Sequence, residues 1–395
     1  MYSKVLNPYL LTLLTILLGV LHIYISINGA NSILSVGYVL ICCAIIYGIS
    51  ITNYHIFANA ATYFYYIKWL LYVVISTALI IVLTNLITAN PLQYKEADML
   101  PVIQVMGDRF IHGQPVYSTI LEIWGGMQPV YLPAMWLPYT IPQLLHADVR
   151  WMSVMAIVGS FLFVFMSTTS TRQLICGVCF YLYCLYYCSS VYPGYVLYSE
   201  EPITLLYVSF LFYSIYHKSW QTILLAFALC MLSRYWVVVA LPFVVFQYFK
   251  TNKNHIYNVW PTVLLLVFVV CITPLHQYQV WLGLPSLYAH ALADAGNYFK
   301  YNTVINKYGL VKVLPNQVRP YSTVIGVIVT ILALLCVTYY KRRSHNYVFI
   351  IFASTIVLML SFIVLPYEYL MFTIPFTIYL LVHYNVSYAH KPYIH

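Results

Sequence analysis

The 395-residue chain is 63% hydrophobic and only 7% charged, with a mean hydropathy of +0.82. Soluble globular domains carry about 25% charged residues, so this composition excludes a soluble domain and predicts a protein embedded in membrane lipids. The apolar runs are continuous rather than alternating, which favours helices over a β-barrel. The formal net charge is +9, but the basic residues do not cluster on a polar domain, which disfavours a nucleic-acid partner.

The apolar runs predict an all-α, polytopic membrane protein of about twelve transmembrane helices. The predicted spans lie near residues 5–26, 33–51, 66–87, 151–168, 173–191, 202–217, 219–233, 235–249, 256–275, 321–340, 346–363 and 367–384. One further apolar run, residues 129–145, contains Pro129, Pro133, Pro138 and Pro142. A regular spanning helix tolerates such spacing of prolines poorly, so we predict that this run does not span.

The distribution of charge supports that topology through the positive-inside rule. If residues 129–145 do not span and the basic run at 341–343 faces the cytoplasm, all nine acidic residues lie outside. Ten basic residues then lie on the cytoplasmic side: Lys4, Lys68, Arg172, Lys218, Lys250, Lys253, Lys341, Arg342, Arg343 and Lys391. We therefore predict a multi-pass protein of the cell membrane with both termini in the cytoplasm. The outer face would hold two large loops, residues 88–150 and 276–320.

The first outer loop contains five of the nine acidic residues and a predicted amphipathic helix. Apolar side chains repeat there at helical spacing, at Met99, Val102, Ile103, Met106 and Phe110. This pattern predicts a helix that lies on the outer leaflet and begins at Asp98, followed by the proline-broken run as a second surface segment. Asp98 would cap the helix, act as a catalytic base, or do both.

Charged residues outside that loop give further candidate site residues. Arg234 lies between two apolar runs, and a charge near membrane depth usually faces a cavity or a partner. An arginine there suits a phosphate, because its planar fork donates two parallel hydrogen bonds, or it extends to the membrane surface. Glu200 and Glu201 precede a proline at a predicted helix start, which the helix dipole favours. Asp148 and Arg150 are predicted to pair at the start of another helix.

The cysteines and the known catalytic motifs add little. Most of the nine cysteines lie inside apolar runs, and the pair Cys176-Gly-Val-Cys179 has no second pair or histidine nearby. We interpret them as small apolar residues rather than metal ligands. Phosphate-binding loops, zinc-protease motifs and nucleophile-elbow motifs do not occur. Their absence disfavours an ATP-driven pump or an enzyme that uses nucleotide sugars.

The first outer loop resembles that of the GT-C superfamily of integral-membrane glycosyltransferases, and most of all the bacterial polyprenol-phosphate-mannose-dependent mannosyltransferases. The family pattern is an aspartate, a helix, a Gly-x-x-x-Tyr turn and a Tyr-x-Pro segment. This chain carries the pattern in order as Asp98, Gly113-Gln-Pro-Val-Tyr117 and Tyr131-Leu-Pro133, followed by Asp148-Val-Arg150. The resemblance implies a single membrane domain in which 66–275 is the GT-C-like module. Residues 1–65 would add N-terminal helices, and 276–395 the second outer loop and the C-terminal helices.

The resemblance implies a hexosyltransferase of cell-envelope glycans that acts at the outer face with inversion. The donor would be a polyprenyl-phosphate sugar, most often mannose in that family, and the acceptor a glycan or glycolipid. Asp98 would be the catalytic base and Arg234 would hold the donor phosphate. Glu200 and Glu201 would orient the acceptor, and Tyr117 and Arg150 would complete the substrate-binding set. We expect no metal and no other cofactor, and membrane lipids as the surrounding partner.

Two other functions fit a polytopic chain with large outer loops. The first is an O-antigen-type polysaccharide polymerase or ligase, which uses lipid-diphosphate glycans and several outer arginines, here Arg109, Arg150, Arg234 and Arg319. The second is a transporter or flippase, which would carry charges in the middle of its spans and an inverted repeat. The sequence shows neither feature clearly, so the glycosyltransferase is the preferred hypothesis.

Overall fold

The computed structural model describes residues 8–28, 32–51, 62–92, 99–123, 126–217, 219–251, 260, 262–264, 266–267, 310–315, 317–341, 347–362 and 371–388. Fifteen α-helices account for most of this part of the chain, together with short 3-10 segments and one antiparallel bridge between Ile120 and Met127. The helices are α1 Pro8–Asn28, α2 Ser32–Ile51, α3 Thr62–Ala89, α4 Met99–Ile111, α5 Pro133–Trp136, α6 Thr140–Leu144, α7 Trp151–Ser167, α8 Thr171–Tyr186, α9 Gly194–Leu197, α10 Glu201–Tyr216, α11 Trp220–Met231, α12 Leu241–Thr251, α13 Ser322–Lys341, α14 Tyr347–Phe362 and α15 Thr373–Tyr388. The predicted all-α class is confirmed.

Four helical segments are long and apolar enough to cross a membrane, which indicates a multi-pass membrane protein. They are Ser32–Ile49, Tyr65–Ala89, Gln173–Val191 and Ser322–Tyr339. Large apolar side chains on these helices point outward, and Leu70 of α3 and Tyr339 of α13 are 64% and 76% exposed. Such faces suit contact with lipid, because lipid tails are as apolar as the side chains themselves.

Several of the remaining predicted spans are short or irregular. Helices α10 and α11 contain 16 and 12 residues, whereas a helix needs about 20 residues to cross the hydrocarbon core. The predicted span 235–249 begins as a 3-10 helix at Tyr235–Ala240 and continues as α12. Most of the predicted span 256–275 and most of the second outer loop lie outside the described residues. The total of about twelve spans therefore stays a prediction.

The interior is built around α10, which is apolar on every side and buried along most of its length, as the all-round pattern predicts. It packs against α7, α11, α14 and α15. Aromatic rings fill the contacts, with Phe212 of α10 stacked on Phe349 of α14 at a centroid distance of 5.1 Å. The hydroxyls of Ser209 and Ser214 donate to carbonyls one turn earlier. These two buried hydroxyls thus have partners within an apolar helix.

The two ends of the chain pack together around this core. Helices α1 and α2 contact each other, and they also contact α15 and α14. Helices α13 and α14 form a close pair because Gly326 leaves room for Phe362. A methyl group at position 326 would lie 2.6 Å from the Phe362 Cβ. The small residue therefore determines how closely these two helices approach.

The first outer loop contains the predicted amphipathic helix, which is α4. Its predicted apolar stripe is buried at Val102, Ile103 and Met106, whereas the side chain of Asp108 is 66% exposed. The buried stripe packs against α5, α6 and the 3-10 turn between them, so protein rather than lipid covers this face. The helix is confirmed, and its outer-face position stays a prediction.

The proline-rich run forms no continuous helix, as predicted. It folds into α5 of four residues, a 3-10 turn at Leu137–Tyr139 and α6 of five residues. None of these pieces approaches the length that a spanning helix needs.

The end of α4 is closed by the glycine turn that the sequence indicated. Gly113 has φ 66°, which is the left-handed conformation that glycine adopts without strain. The Gln114 backbone N–H donates to the Arg109 carbonyl at 2.7 Å, and the Gly113 N–H donates to the Phe110 carbonyl at 3.1 Å. These two bonds form a Schellman motif. The chain thereby reverses direction and enters the loop that carries Tyr117.

Candidate functional site

The candidate site is a buried cluster of three charged side chains, Glu200, Glu201 and Arg234. The two glutamates lie at the start of α10, where Glu200 is the N-cap residue and Pro202 follows in the first turn. The Glu201 backbone N–H donates to the Ser199 hydroxyl at 3.1 Å. Carboxylates at this end of a helix are stabilised by its dipole. The predicted helix start at this acidic pair is confirmed.

Arg234 reaches the acidic pair from the turn after α11. The helix ends at Met231, and Arg234 adopts an extended backbone with φ −140° and ψ 119° before the next 3-10 segment. Its Nη2 donates to Glu200 Oε1 at 2.7 Å and also to Glu201 Oε1. The side chains of Arg234, Glu200 and Glu201 are only 12%, 3% and 2% exposed. Arg234, which the sequence predicts to lie near membrane depth, therefore forms ion pairs with two buried glutamates.

Tyr139 lies near the two glutamates, and Tyr207 lies near Tyr139. The Tyr139 hydroxyl shares a hydrogen bond of 3.1 Å with Ser153 of α7, and the Tyr207 hydroxyl donates to the Ala134 carbonyl at 2.8 Å. Burial raises the pKa of Tyr139, and the negative charges of Glu200 and Glu201 raise it further. These tyrosines were not among the predicted site residues, because the sequence contains 42 tyrosines and no local pattern separates these two from the others.

The electrostatics of the cluster are unbalanced, because two carboxyl groups share one guanidinium. Burial raises the pKa of Glu201 to about 7, and the negative charge of Glu200 adds to this, whereas Arg234 acts in the opposite direction. Glu201 is the first residue of α10 and precedes the apolar run at 202–217 that the sequence predicts as a span. The second carboxyl oxygen, Oε2, of each glutamate is buried and has no hydrogen-bond partner among the described residues.

Asp98, the predicted catalytic base, lies outside the described residues, as does Glu96. Helix α4 begins one position after Asp98, at Met99, and the Leu100 backbone N–H donates to the Tyr198 carbonyl at 3.3 Å. Tyr198 is two positions before Glu200. The start of α4 is therefore held directly against the turn that carries the acidic pair.

Arg150 forms the predicted ion pair with Asp148. Its Nη2 lies 2.6 Å from Asp148 Oδ2 and its Nε lies 2.9 Å from Oδ1, which is the paired geometry of a strong arginine–carboxylate contact. Burial opposes ionisation of Asp148, but the hydrogen bonds and charge of Arg150 outweigh it, so the pKa of Asp148 is lowered. Arg150 also donates to the Asn90 carbonyl. It thus ties the end of α3 to the start of α7, and substrate binding by Arg150 stays a prediction.

Tyr117 is buried within the first outer loop. Its hydroxyl donates to the Tyr131 carbonyl at 3.0 Å and accepts from Trp136 Nε1 at 3.3 Å. These contacts join the Gly-x-x-x-Tyr turn to the Tyr-x-Pro segment, so the two sequence motifs that carry the family resemblance meet through one hydroxyl. The contacts show a structural role, and the substrate-binding role stays a prediction.

A polar groove of about 380 Å³ lies beside the outer loop, between α4, α6 and residues 147–149. Its polar lining consists of Gln104, Asp108, Gln143 and Asp148. Gln143 is held in place because its Nε2 donates to the Gln104 carbonyl at 2.8 Å. Carboxylates and amides can hydrogen-bond the hydroxyl groups of a carbohydrate, so the lining is compatible with a hydroxyl-rich ligand.

Metal-ligand geometry is absent from the part of the chain that the structure describes, where no three histidine, cysteine, aspartate or glutamate side chains come together. Cys176 is half-buried and Cys179 is exposed, and neither forms a disulfide. Comparisons with protein-family models, with curated proteins and with solved structures found no match to this chain. The assignment of function therefore depends on the residues themselves.

Proposed function

We propose that this chain is an integral-membrane glycosyltransferase of the GT-C type, which moves a sugar from a polyprenyl phosphate to a glycan or glycolipid acceptor at the outer face. The observation that carries the proposal is the buried cluster of Glu200, Glu201 and Arg234 beside the start of α4. Buried charges in a membrane protein are expensive and usually functional. Here they adjoin the helix that directly follows Asp98 in the sequence.

The reaction is an inverting displacement at the anomeric carbon of the donor sugar. The acceptor hydroxyl gives its proton to the Asp98 carboxylate and its oxygen forms the new bond to that carbon. The bond from the carbon to the phosphate oxygen breaks, and the polyprenyl phosphate leaves with the electron pair. Inversion follows because the acceptor attacks from the side opposite to the phosphate.

The geometry supports an acceptor-orienting role for the acidic pair. Each glutamate has one carboxyl oxygen bound to Arg234 and a second oxygen without a described partner. A sugar hydroxyl would donate to such an oxygen once the site opens, since both oxygen atoms are buried in the closed cluster. Arg234 would then act as a positioning residue that holds both carboxyl groups in place.

The predicted contact between Arg234 and the donor phosphate is less favourable than the sequence suggested. A phosphate beside the Arg234 Nη2 would also lie beside two carboxyl groups, and like charges in a buried site repel strongly. Phosphate binding at Arg234 would therefore require at least one glutamate to be neutral or displaced. Arg234 would therefore bind the donor phosphate only while Glu201 is neutral.

Transfer of a labelled sugar from a polyprenyl phosphate, measured in membranes that contain the full chain, tests the proposal. Asp98→Asn should reduce transfer by at least 100-fold, which is the usual scale of general-base catalysis (about 10²–10⁴). The matched control is Glu122→Gln, because Glu122 lies in the same loop, its side chain is exposed, and it lines neither the cluster nor the polar groove. That variant should retain the wild-type rate.

Two results would contradict the proposal. Wild-type transfer by a correctly folded Asp98→Asn protein would remove the assigned base. Movement of the lipid-linked sugar across the bilayer without any new glycosidic bond would instead favour a flippase. Supplying the donor as a lipid diphosphate distinguishes the polymerase or ligase, since only that class should consume it.

A further inference from the structure

The charges of the Glu200–Glu201–Arg234 cluster do not cancel. If both carboxyl groups are ionised, the cluster carries one net negative charge, because Arg234 is the only basic group within ion-pair distance of either glutamate in the described part of the chain. Both glutamate side chains are at most 3% exposed. Water therefore cannot screen the surplus charge, and burial of an uncompensated charge is strongly unfavourable.

Among the residues that the structure describes, the other groups around the cluster do not supply a positive charge. Tyr139, from the 3-10 turn of the first outer loop, bonds to Ser153 of α7. Tyr195 of α9 is fully buried beside Glu201, and its hydroxyl has no hydrogen-bond partner among the described residues. Thr204 belongs to α10 itself, and its hydroxyl lies close enough to Glu201 to lower the pKa of that carboxyl group. All three side chains are neutral hydroxyl groups.

The second carboxyl oxygen of each glutamate indicates how the surplus negative charge is balanced. One oxygen of each glutamate binds Arg234, and Oε2 of each is buried without a described partner. A proton on one carboxyl group would remove the surplus charge and supply a hydrogen-bond donor, as in other sites where two carboxyl groups share one proton. The raised pKa of Glu201 agrees with this arrangement.

We propose that the Glu200–Glu201–Arg234 cluster is a proton-binding site in which the carboxyl groups of Glu200 and Glu201 share one exchangeable proton. The site then contains one neutral carboxylic acid, one carboxylate and one guanidinium, with no net charge. Deprotonation gives a site with one buried negative charge that can take up a proton or another cation. This inference does not depend on the proposed glycosyl transfer.

Infrared difference spectroscopy on the full chain in lipid nanodiscs tests the inference, because the C=O stretch of a neutral carboxylic acid is separate from that of a carboxylate. The wild-type protein at pH 6 should show the band of one buried neutral carboxyl group, which is lost by pH 9. Either Glu200→Gln or Glu201→Gln should abolish the band. In each variant the remaining glutamate pairs one-to-one with Arg234 and no longer needs a proton.

Two further variants serve as controls for the assignment of the band. Asp108→Asn should leave the band unchanged, because that carboxyl group is exposed. Arg234→Gln should double the band, since both glutamates then need a proton.

Three results would overturn the inference. The first is the absence of any buried carboxylic acid band in the wild-type protein at pH 6. The second is an undiminished band in both single variants. The third is a band that appears only when sodium is replaced by choline, which would show that a monovalent metal ion rather than a proton balances the charge.

Discussion

Replacement of Arg234 by methionine removes the only cation of the buried cluster while keeping a side chain of similar length. Glu200 and Glu201 stay at most 3% exposed, so both must then be neutral in the folded protein. Removal of one partner from a buried ion pair typically costs about 3–5 kcal/mol. The structure allows a finer estimate, because burial raises the pKa of Glu201 and one of the two carboxyl groups is neutral in the proposed wild-type cluster.

The additional cost is therefore that of keeping a second carboxyl group neutral in the folded protein, relative to the unfolded chain, where glutamate has a pKa of about 4.3. With 1.36 kcal/mol for each pKa unit, that cost is about 3–4 kcal/mol at pH 7 and about 1 kcal/mol at pH 5. Arg234→Met should accordingly lose more stability at pH 7 than at pH 5. Reversible unfolding in mixed micelles, followed at both pH values, gives the two differences in the free energy of unfolding.

Arg109→Met is the matched control. Arg109 donates to the carbonyls of Ser118 and Thr119, and its replacement leaves no buried carboxyl group, so its cost should not change between pH 5 and pH 7. Addition of Glu200→Gln and Glu201→Gln to Arg234→Met should restore most of the lost stability. A loss that is equal at both pH values, or no loss at all, would refute the electrostatic account of the cluster.

Two further predictions concern packing and pH. Gly326→Ala should lower the free energy of unfolding by about 1–3 kcal/mol through overpacking against Phe362, whereas Gly37→Ala, with no atom within 4 Å of the new methyl group, should cost nothing. A stable Gly326→Ala protein would contradict the close approach of α13 and α14. Asp148→Asn should cost about 2 kcal/mol at pH 7 by weakening the bond to Arg150. Because the pKa of Asp148 is lowered, this difference should disappear only below its ordinary value of 3.8, and a constant difference in acid would exclude the ion pair as its cause.

Local features of the fold could be predicted because they depend on neighbouring residues. The apolar stripe of α4, the glycine turn at Gly113 and the helix start at Glu201 each follow from a spacing or a residue type within one or two turns. The prolines between residues 129 and 145 likewise prevent a regular helix wherever the segment lies. These predictions are confirmed. The prediction of the shorter spans is less accurate, since apolar composition alone does not show that a 3-10 segment, Tyr235–Ala240, precedes the α-helix that begins at Leu241.

The sequence by itself determined the all-α class, the long apolar helices and the presence of a charge near membrane depth that needed a partner. Only the tertiary structure decided which partner it has. Arg234 meets Glu200 and Glu201 because α10 and α11 pack side by side, which brings together side chains more than 30 positions apart. No local pattern encodes that contact. Because the cluster is buried, it differs from an ordinary ion pair: its two carboxyl groups share one guanidinium, and the surplus negative charge must be balanced.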